Sequence, residues 1–138
     1  MHDNERTQIN LRRHPSETGR ARRTVAGLCR DLDAEVVEVA QLLTTELVTN
    51  ALKHGRGDII LAISRQGGDL RIDVTDDGPG TPEIGCGGPD ELGGRGLMVV
   101  EALATMWGVA PALRSSGKTV WFSLPAARAA SSGDAPLR

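Results

Sequence analysis

Apolar residues at Val36, Val39, Leu43, Leu47 and Ala51 fall at spacings of three and four. That period predicts one face of a helix packed on a core. Asp33 suits its N-cap and Gly55 its C-terminal stop. Upstream, Ala21, Val25, Leu28 and Leu32 repeat with the same period after the helix-start signal Pro15-Ser16-Glu17, so a first helix is expected to about Arg30. Downstream the period changes to two. Leu70, Ile72 and Val74 alternate with Arg71, Asp73 and Thr75, which predicts a half-buried strand. Residues 58–65 are short and β-branched and predict its partner, with Gln66-Gly67-Gly68-Asp69 as the hairpin turn. Residues 8–13 suggest a short edge strand, 97–106 a further helix stopped by Gly108, and 118–124 a last strand. Residues 1–7 and 126–138 are polar or small and are expected to be disordered tails, leaving a single domain over 8–125.

Composition narrows the function. The only aromatics are Trp107, Trp121 and Phe122, too few for a stacking surface along single-stranded nucleic acid. A formal net charge of −2 gives no footprint for a polyanion, so no direct nucleic-acid partner is expected. Arg12, Arg13, Arg20, Arg22 and Arg23 form a local basic cluster that fits a solvated helix face or a protein docking patch. Cys29 and Cys86 lack metal-ligand spacing and read as reduced thiols. With no apolar leader and no membrane-length apolar run, a cytoplasmic protein without a membrane partner is expected.

Three segments carry chemistry. Glu46, Asn50 and His54 are each four residues apart, which stacks them on one strip of the main helix. An amide oxygen there can ligate Mg²⁺ while the carboxylate stays free to take a proton. The same spacing also fits a solvated polar face. Asp76-Asp77-Gly78-Pro79-Gly80 follows a strand; it is a turn by composition, and its glycines let a ligand approach the backbone. Gly93-Gly94-Arg95-Gly96-Leu97 opens a helix, where free N–H groups and the helix dipole favour an anion and Arg95 can add a charged bond. Seven of the chain's 17 glycines lie within residues 80–96, which marks a long loop of functional type.

In chain order these segments are Glu46-Leu-Val-Thr-Asn50-Ala-Leu-Lys-His54, Asp76-x-Gly78-x-Gly80, Gly94-x-Gly96-Leu97 and Gly117-Lys-Thr119-Val. Together they resemble the GHKL ATPase superfamily of gyrase-type topoisomerases, heat-shock chaperones and histidine kinases. Within it the chain looks most like the stand-alone anti-sigma-factor serine/threonine kinases. The resemblance covers about residues 10–125 and implies an α+β fold: a two-layer sandwich of a mixed, largely antiparallel β-sheet with helices packed on one face.

The resemblance further implies ATP and Mg²⁺ as cofactors. Asn50 would ligate the metal and Glu46 would be the general base. Asp76 would read the adenine amino group, with Thr119 assisting through water, and Gly78 and Gly80 would make room for the base. Gly94, Arg95 and Gly96 would cradle phosphate under a lid of residues 81–93, with His54 and Leu97 completing the nucleotide-binding set. The implied partners are a sigma factor, a small anti-anti-sigma protein that accepts the phosphate, and a second copy of the chain in a homodimer. Two rival functions fit the same motifs: a nucleotide-gated anti-sigma binding module that transfers little phosphate, and a detached histidine-kinase catalytic domain. The second is disfavoured by the lack of an upstream helical pair carrying an acceptor histidine.

Overall fold

A computed structural model describes residues 5–78, 92–112 and 117–129; within 92–97 it describes the backbone alone. The elements run β1 (Arg6–Leu11), α1 (Glu17–Leu28), α2 (Ala34–His54), β2 (Ile59–Gln66), β3 (Asp69–Asp76), α3 (Leu92–Leu103), β4 (Met106–Pro111) and β5 (Lys118–Pro125). The strands form one sheet in the order β1-β2-β3-β5-β4. Among the described residues every pairing is antiparallel, and the expected two-layer α+β sandwich is present.

Strand alternation decides which side chains meet the helices. Leu61, Ile63, Leu70, Ile72, Val74, Val120, Phe122 and Leu124 share one face and are buried with Ala21 and Val25 of α1, Leu43 and Leu47 of α2, and Val100 of α3. The other face of the sheet carries Asp73, Thr75, Thr119 and Trp121, all partly exposed. On that face Arg71 stacks 4.2 Å from the Trp121 ring centre and bonds Asp73 at 2.8 Å. A cation over an indole face is attracted by the ring quadrupole. The β2–β3 hairpin turns on Gly67 and Gly68, with φ of 56° and 92°, a backbone that favours glycine at both central positions.

Several expected boundaries move. The stretch read as one helix over 97–106 is a helix from Leu92 to Leu103 followed by the strand β4, which the sequence reading missed. Gly108 does not stop a helix; it lies in β4, where a Cβ would stand 3.0 Å from the Trp121 ring. A close side-chain approach is a common reason for glycine within a strand. Leu28, expected in the core, is 41% exposed, and Cys29 is fully buried in its place. The helical period ends at Leu28, and the chain turns Cys29 inward. Arg6 and Thr7, expected in a disordered tail, lie in β1. Residues 126–129, expected to be disordered, are tied to the fold: Ala126 N–H donates to Gly68 O, Asp33 N–H to Ala127 O and Ala129 N–H to Asp31 O.

The basic cluster is also redistributed. Arg13 donates to the carbonyls of Ala51, Leu52, Gly55 and Gly57 at 2.9, 2.9, 3.1 and 3.3 Å. It therefore caps the C-terminus of α2, where carbonyls lack intrahelical donors and the dipole favours a cation. No described helix is long and apolar enough to cross a membrane.

Candidate functional site

The site is built where the end of α2 meets the ends of β3 and β5. Asp76 is the last residue of β3 and is 1% exposed. Its Oδ1 accepts from Gly78 N–H at 2.6 Å and, more distantly, from Arg56 N–H at 3.4 Å. The Asp77 N–H donates to Arg56 O at 2.8 Å, so the chain leaving α2 is tied to the chain leaving β3.

Three glycines from three segments crowd Asp76, two against its carboxylate and one against its backbone. A Cβ on Gly55 would lie 2.5 Å from Asp76 Cγ and Oδ2, and one on Gly78 would lie 2.8 Å from Oδ1. A Cβ on Gly117 would collide with the Asp76 carbonyl oxygen. The backbone thus forms a cradle that any side chain would fill. Gly55 has φ −97°, so glycine is required here by space and not by a left-handed conformation.

Register fixes what faces Asp76. It pairs directly with Lys118, and Thr75 pairs with Thr119 one step along. Alternation turns Asp76 and Lys118 to the helix side and Thr75 and Thr119 to the open side. Lys118 Nζ lies 3.2 Å from both Asp76 oxygens, with the side chains 6% and 2% exposed. Thr119 instead shares a 2.7 Å hydroxyl–hydroxyl bond with Thr75. The sequence expectation that Thr119 helps Asp76 read a base is therefore corrected, because its side chain is on the wrong face. Lys118 takes the place beside Asp76. The signal was available: Leu124, Phe122, Val120 and Lys118 form one alternating stripe, as do Leu70, Ile72, Val74 and Asp76. A lysine and an aspartate that each end an apolar stripe point to a buried ion pair.

Along α2, the three strip residues meet different surroundings. Glu46 is half-buried, Asn50 is 4% exposed and His54 is exposed. Desolvation raises the Glu46 carboxyl above its ordinary pKa, which makes it a better proton acceptor once ionised. Asn50 Nδ2 is buried with no hydrogen-bond partner among the described residues. A buried, unpaired amide atom is costly and calls for a partner. A rise of 1.5 Å per residue puts Asn50 about 7.5 Å and Glu46 about 13.5 Å up the helix from Gly55. The strip thus leads away from the Asp76 cradle toward a second polar centre.

α3 starts at Leu92, so Gly93, Gly94, Arg95, Gly96 and Leu97 lie within its first two turns and not ahead of it. The expected glycine loop is thereby shortened at its far end. The roles of the Arg95 and Leu97 side chains lie outside the described residues, as do Gly80, Cys86 and most of the expected lid. A groove of about 410 Å³ lined by Arg13, Pro15, Thr18, Thr49, Leu52 and Lys53 includes neither Asp76 nor Asn50.

The residues present fit a magnesium nucleotide. The glycine cradle leaves close approach to a buried carboxylate, and the orphaned amide of Asn50 offers an oxygen after a half-turn of the amide. Among the described residues no group of three or more His, Cys, Asp or Glu could hold a metal. A metal held by one protein oxygen and by substrate phosphates is the arrangement magnesium prefers.

The description "Histidine kinase-, DNA gyrase B-, and HSP90-like ATPase" matches residues 35–128 as a family. No curated protein sequence matches the chain. Among solved structures, the histidine kinase domain of the blue-light activated histidine kinase from Erythrobacter litoralis EL346 aligns at 27% identity with a TM-score of 0.52. That alignment covers 81% of this chain and 60% of the kinase domain. A further structure of the same blue-light activated histidine kinase aligns at 27% identity and TM-score 0.56, covering 81% of this chain and 41% of that one. The chain therefore spans less than two thirds of either.

Proposed function

The chain belongs to the histidine kinase-, DNA gyrase B-, and HSP90-like ATPase family, and on that premise we propose that it is an ATP-dependent protein kinase of the anti-sigma-factor type. The observation that carries the reading is the pairing on α2 of a half-buried carboxylate of raised basicity, Glu46, with the buried, unpaired amide of Asn50. Asn50 would hold Mg²⁺ and Asp76 would hold the base. ATP with Mg²⁺ supplies, when bound, the transferable phosphoryl group and the positive charge that screens it. Glu46 takes the proton of an attacking side-chain hydroxyl. The N–H groups in the first turn of α3 lack intrahelical acceptors and are suited to phosphate.

The partners follow from the resemblance read in the sequence: a sigma factor that the chain captures, and a small anti-anti-sigma protein that supplies the acceptor hydroxyl. A second reading, phosphotransfer to histidine, draws support from the solved neighbours, both of which are histidine kinases.

The linkage of the product separates the two. The chain is incubated with γ-labelled ATP·Mg²⁺ and candidate partner proteins, and labelled protein is treated with acid and with base. An acid-stable phosphoester on the partner supports serine/threonine transfer. An acid-labile, base-stable phosphoramidate supports the histidine reading. ATP binding with no transfer leaves a nucleotide-gated binding module, and absence of ATP binding by calorimetry overturns the proposal.

A further inference from the structure

Lys118 changes what the Asp76 site can recognise. A lone carboxylate offers acceptors only. Asp76 Oδ1 already accepts from Gly78 N–H at 2.6 Å and from Lys118 at 3.2 Å. Its Oδ2 accepts from Lys118 alone among the described residues, at 3.2 Å. A carboxylate oxygen carries two lone pairs, so Oδ2 keeps one acceptor position. The ammonium carries three N–H groups, and two are directed at the two Asp76 oxygens. Nζ has no other partner among the described residues, so one donor is left. The pair presents an acceptor and a donor side by side.

We infer that Lys118 is a second base-reading residue: Asp76 Oδ2 accepts the 6-amino N–H of adenine while Lys118 Nζ donates to the ring nitrogen N1. The inference rests on the ATP reading and deepens it. Adenine carries that donor and that acceptor on neighbouring positions of one edge, in the order the pair requires. Guanine carries an oxygen at position 6 and an N–H at position 1. In the same pose it sets oxygen against carboxylate and N–H against ammonium, and both contacts repel. A site built to hydrogen-bond a substrate rejects analogues that leave its buried groups unpaired. Gly55 and Gly78 pack closely on the Asp76 carboxylate, and Lys118 Nζ sits 3.2 Å from both of its oxygens, which sets the order of acceptor and donor. Lys118 is therefore a specificity residue for adenine over guanine, in addition to balancing the buried charge of Asp76.

The test needs no variant at its first step. Isothermal titration compares ATP·Mg²⁺ with the 1-deaza analogue, in which C–H replaces N1. Hydrogen bonds to charged groups make the expected loss in wild type roughly 10–100-fold. In Lys118→Met, checked for folding by circular dichroism and a thermal melt, the two ligands bind within about twofold of each other and the preference for ATP over GTP falls. Equal affinities for ATP and its 1-deaza analogue in wild type overturn the inference while leaving the ATP reading standing. A folded Lys118→Met that still discriminates the two ligands also overturns it. If wild type binds neither nucleotide, the ATP reading fails and takes the inference with it.

Discussion

Gly55 closes α2 directly against Asp76, leaving no room for a single added carbon: a Cβ would sit 2.5 Å from both Cγ and Oδ2 of the carboxylate and 2.6 Å from Ala51 O. Neither neighbour is the far end of a flexible chain, so the backbone must move. Forced overpacking typically costs about 1–3 kcal/mol. Gly55→Ala is expected to lose stability by about that amount, read as a lower melting temperature, and to weaken ATP binding, since Asp76 shifts with it. Gly27→Ala is the control. Gly27 lies within α1 with nothing within 4 Å of its Cβ position. There alanine should stabilise by up to about 1 kcal/mol through helix propensity. Thermal melts of both variants check the pair, and a Gly55→Ala as stable as wild type would contradict the close packing.

If Asp76 served nucleotide alone, asparagine in its place would weaken ATP binding but leave stability unchanged. The buried Lys118 makes that untrue. Breaking a buried ion pair by removing one charge leaves the other uncompensated, at about 3–5 kcal/mol. Asp76→Asn should therefore lose stability as well as ATP affinity. Asp76→Asn combined with Lys118→Met should recover much of the stability and none of the affinity. Urea unfolding of the two single variants and the double variant measures this coupling. Strict additivity would mean that the two groups do not interact.

Asp31 provides a pH signature far from the site. It takes two bonds from Arg65, at 2.6 and 2.8 Å, and lies 3.4 Å from Arg128. The Arg65 hydrogen bonds hold its carboxyl well below the usual 3.8, at about 2. A depressed folded pKa means that the folded state binds fewer protons than the unfolded chain. The stabilisation is therefore fully present above pH 3.8 and is lost as pH falls toward about 2. Asp31 is 42% exposed, so screening leaves at most about 1 kcal/mol. The melting-temperature gap between wild type and Asp31→Asn should be open at neutral pH, narrow with added salt and close in acid. A gap that stays constant through that window would rule out the ion pair as its source.

Much of this architecture is legible from periodicity. The α2 stripe, the alternation in β3 and the Gly67-Gly68 turn all follow from local patterns. What escaped is what depends on pairing across the sheet. Thr119 and Lys118 are neighbours in sequence, and only the register with β3 shows which of them turns toward Asp76. β4 was hidden because Met106 continues a helical run and Gly108 reads as its stop. Its glycine is explained only by the Trp121 ring across from it. Arg13 likewise read as one charge in a basic cluster, since nothing local shows that it reaches the end of α2.

Glu46 and Asn50 lie one helical turn apart and should fail differently. On the proposed reading Asn50 offers a metal oxygen, so Asn50→Ala should weaken Mg²⁺-dependent ATP binding and with it every later step. It also removes a buried unpaired amide atom, so its stability should change little or rise. In the same reading Glu46 contributes proton transfer, whose loss typically slows a reaction about 10²–10⁴-fold. Glu46→Gln should bind ATP as wild type does, still capture its protein partner, and fail to transfer phosphate. The pH dependence has a definite sign. Desolvation raises the Glu46 pKa in the folded state above its ordinary 4.5, so the folded state holds the proton more tightly than the unfolded chain. Wild type therefore loses stability as pH rises through the raised value, and Glu46→Gln, which lacks the buried charge, should be the more stable protein at neutral pH. Transfer activity runs the other way, falling as pH drops and Glu46 is protonated. A titration beside a labelled-transfer assay across pH reads all of these. If Glu46→Gln loses ATP affinity as badly as Asn50→Ala, Glu46 belongs with the metal and another group must take the proton.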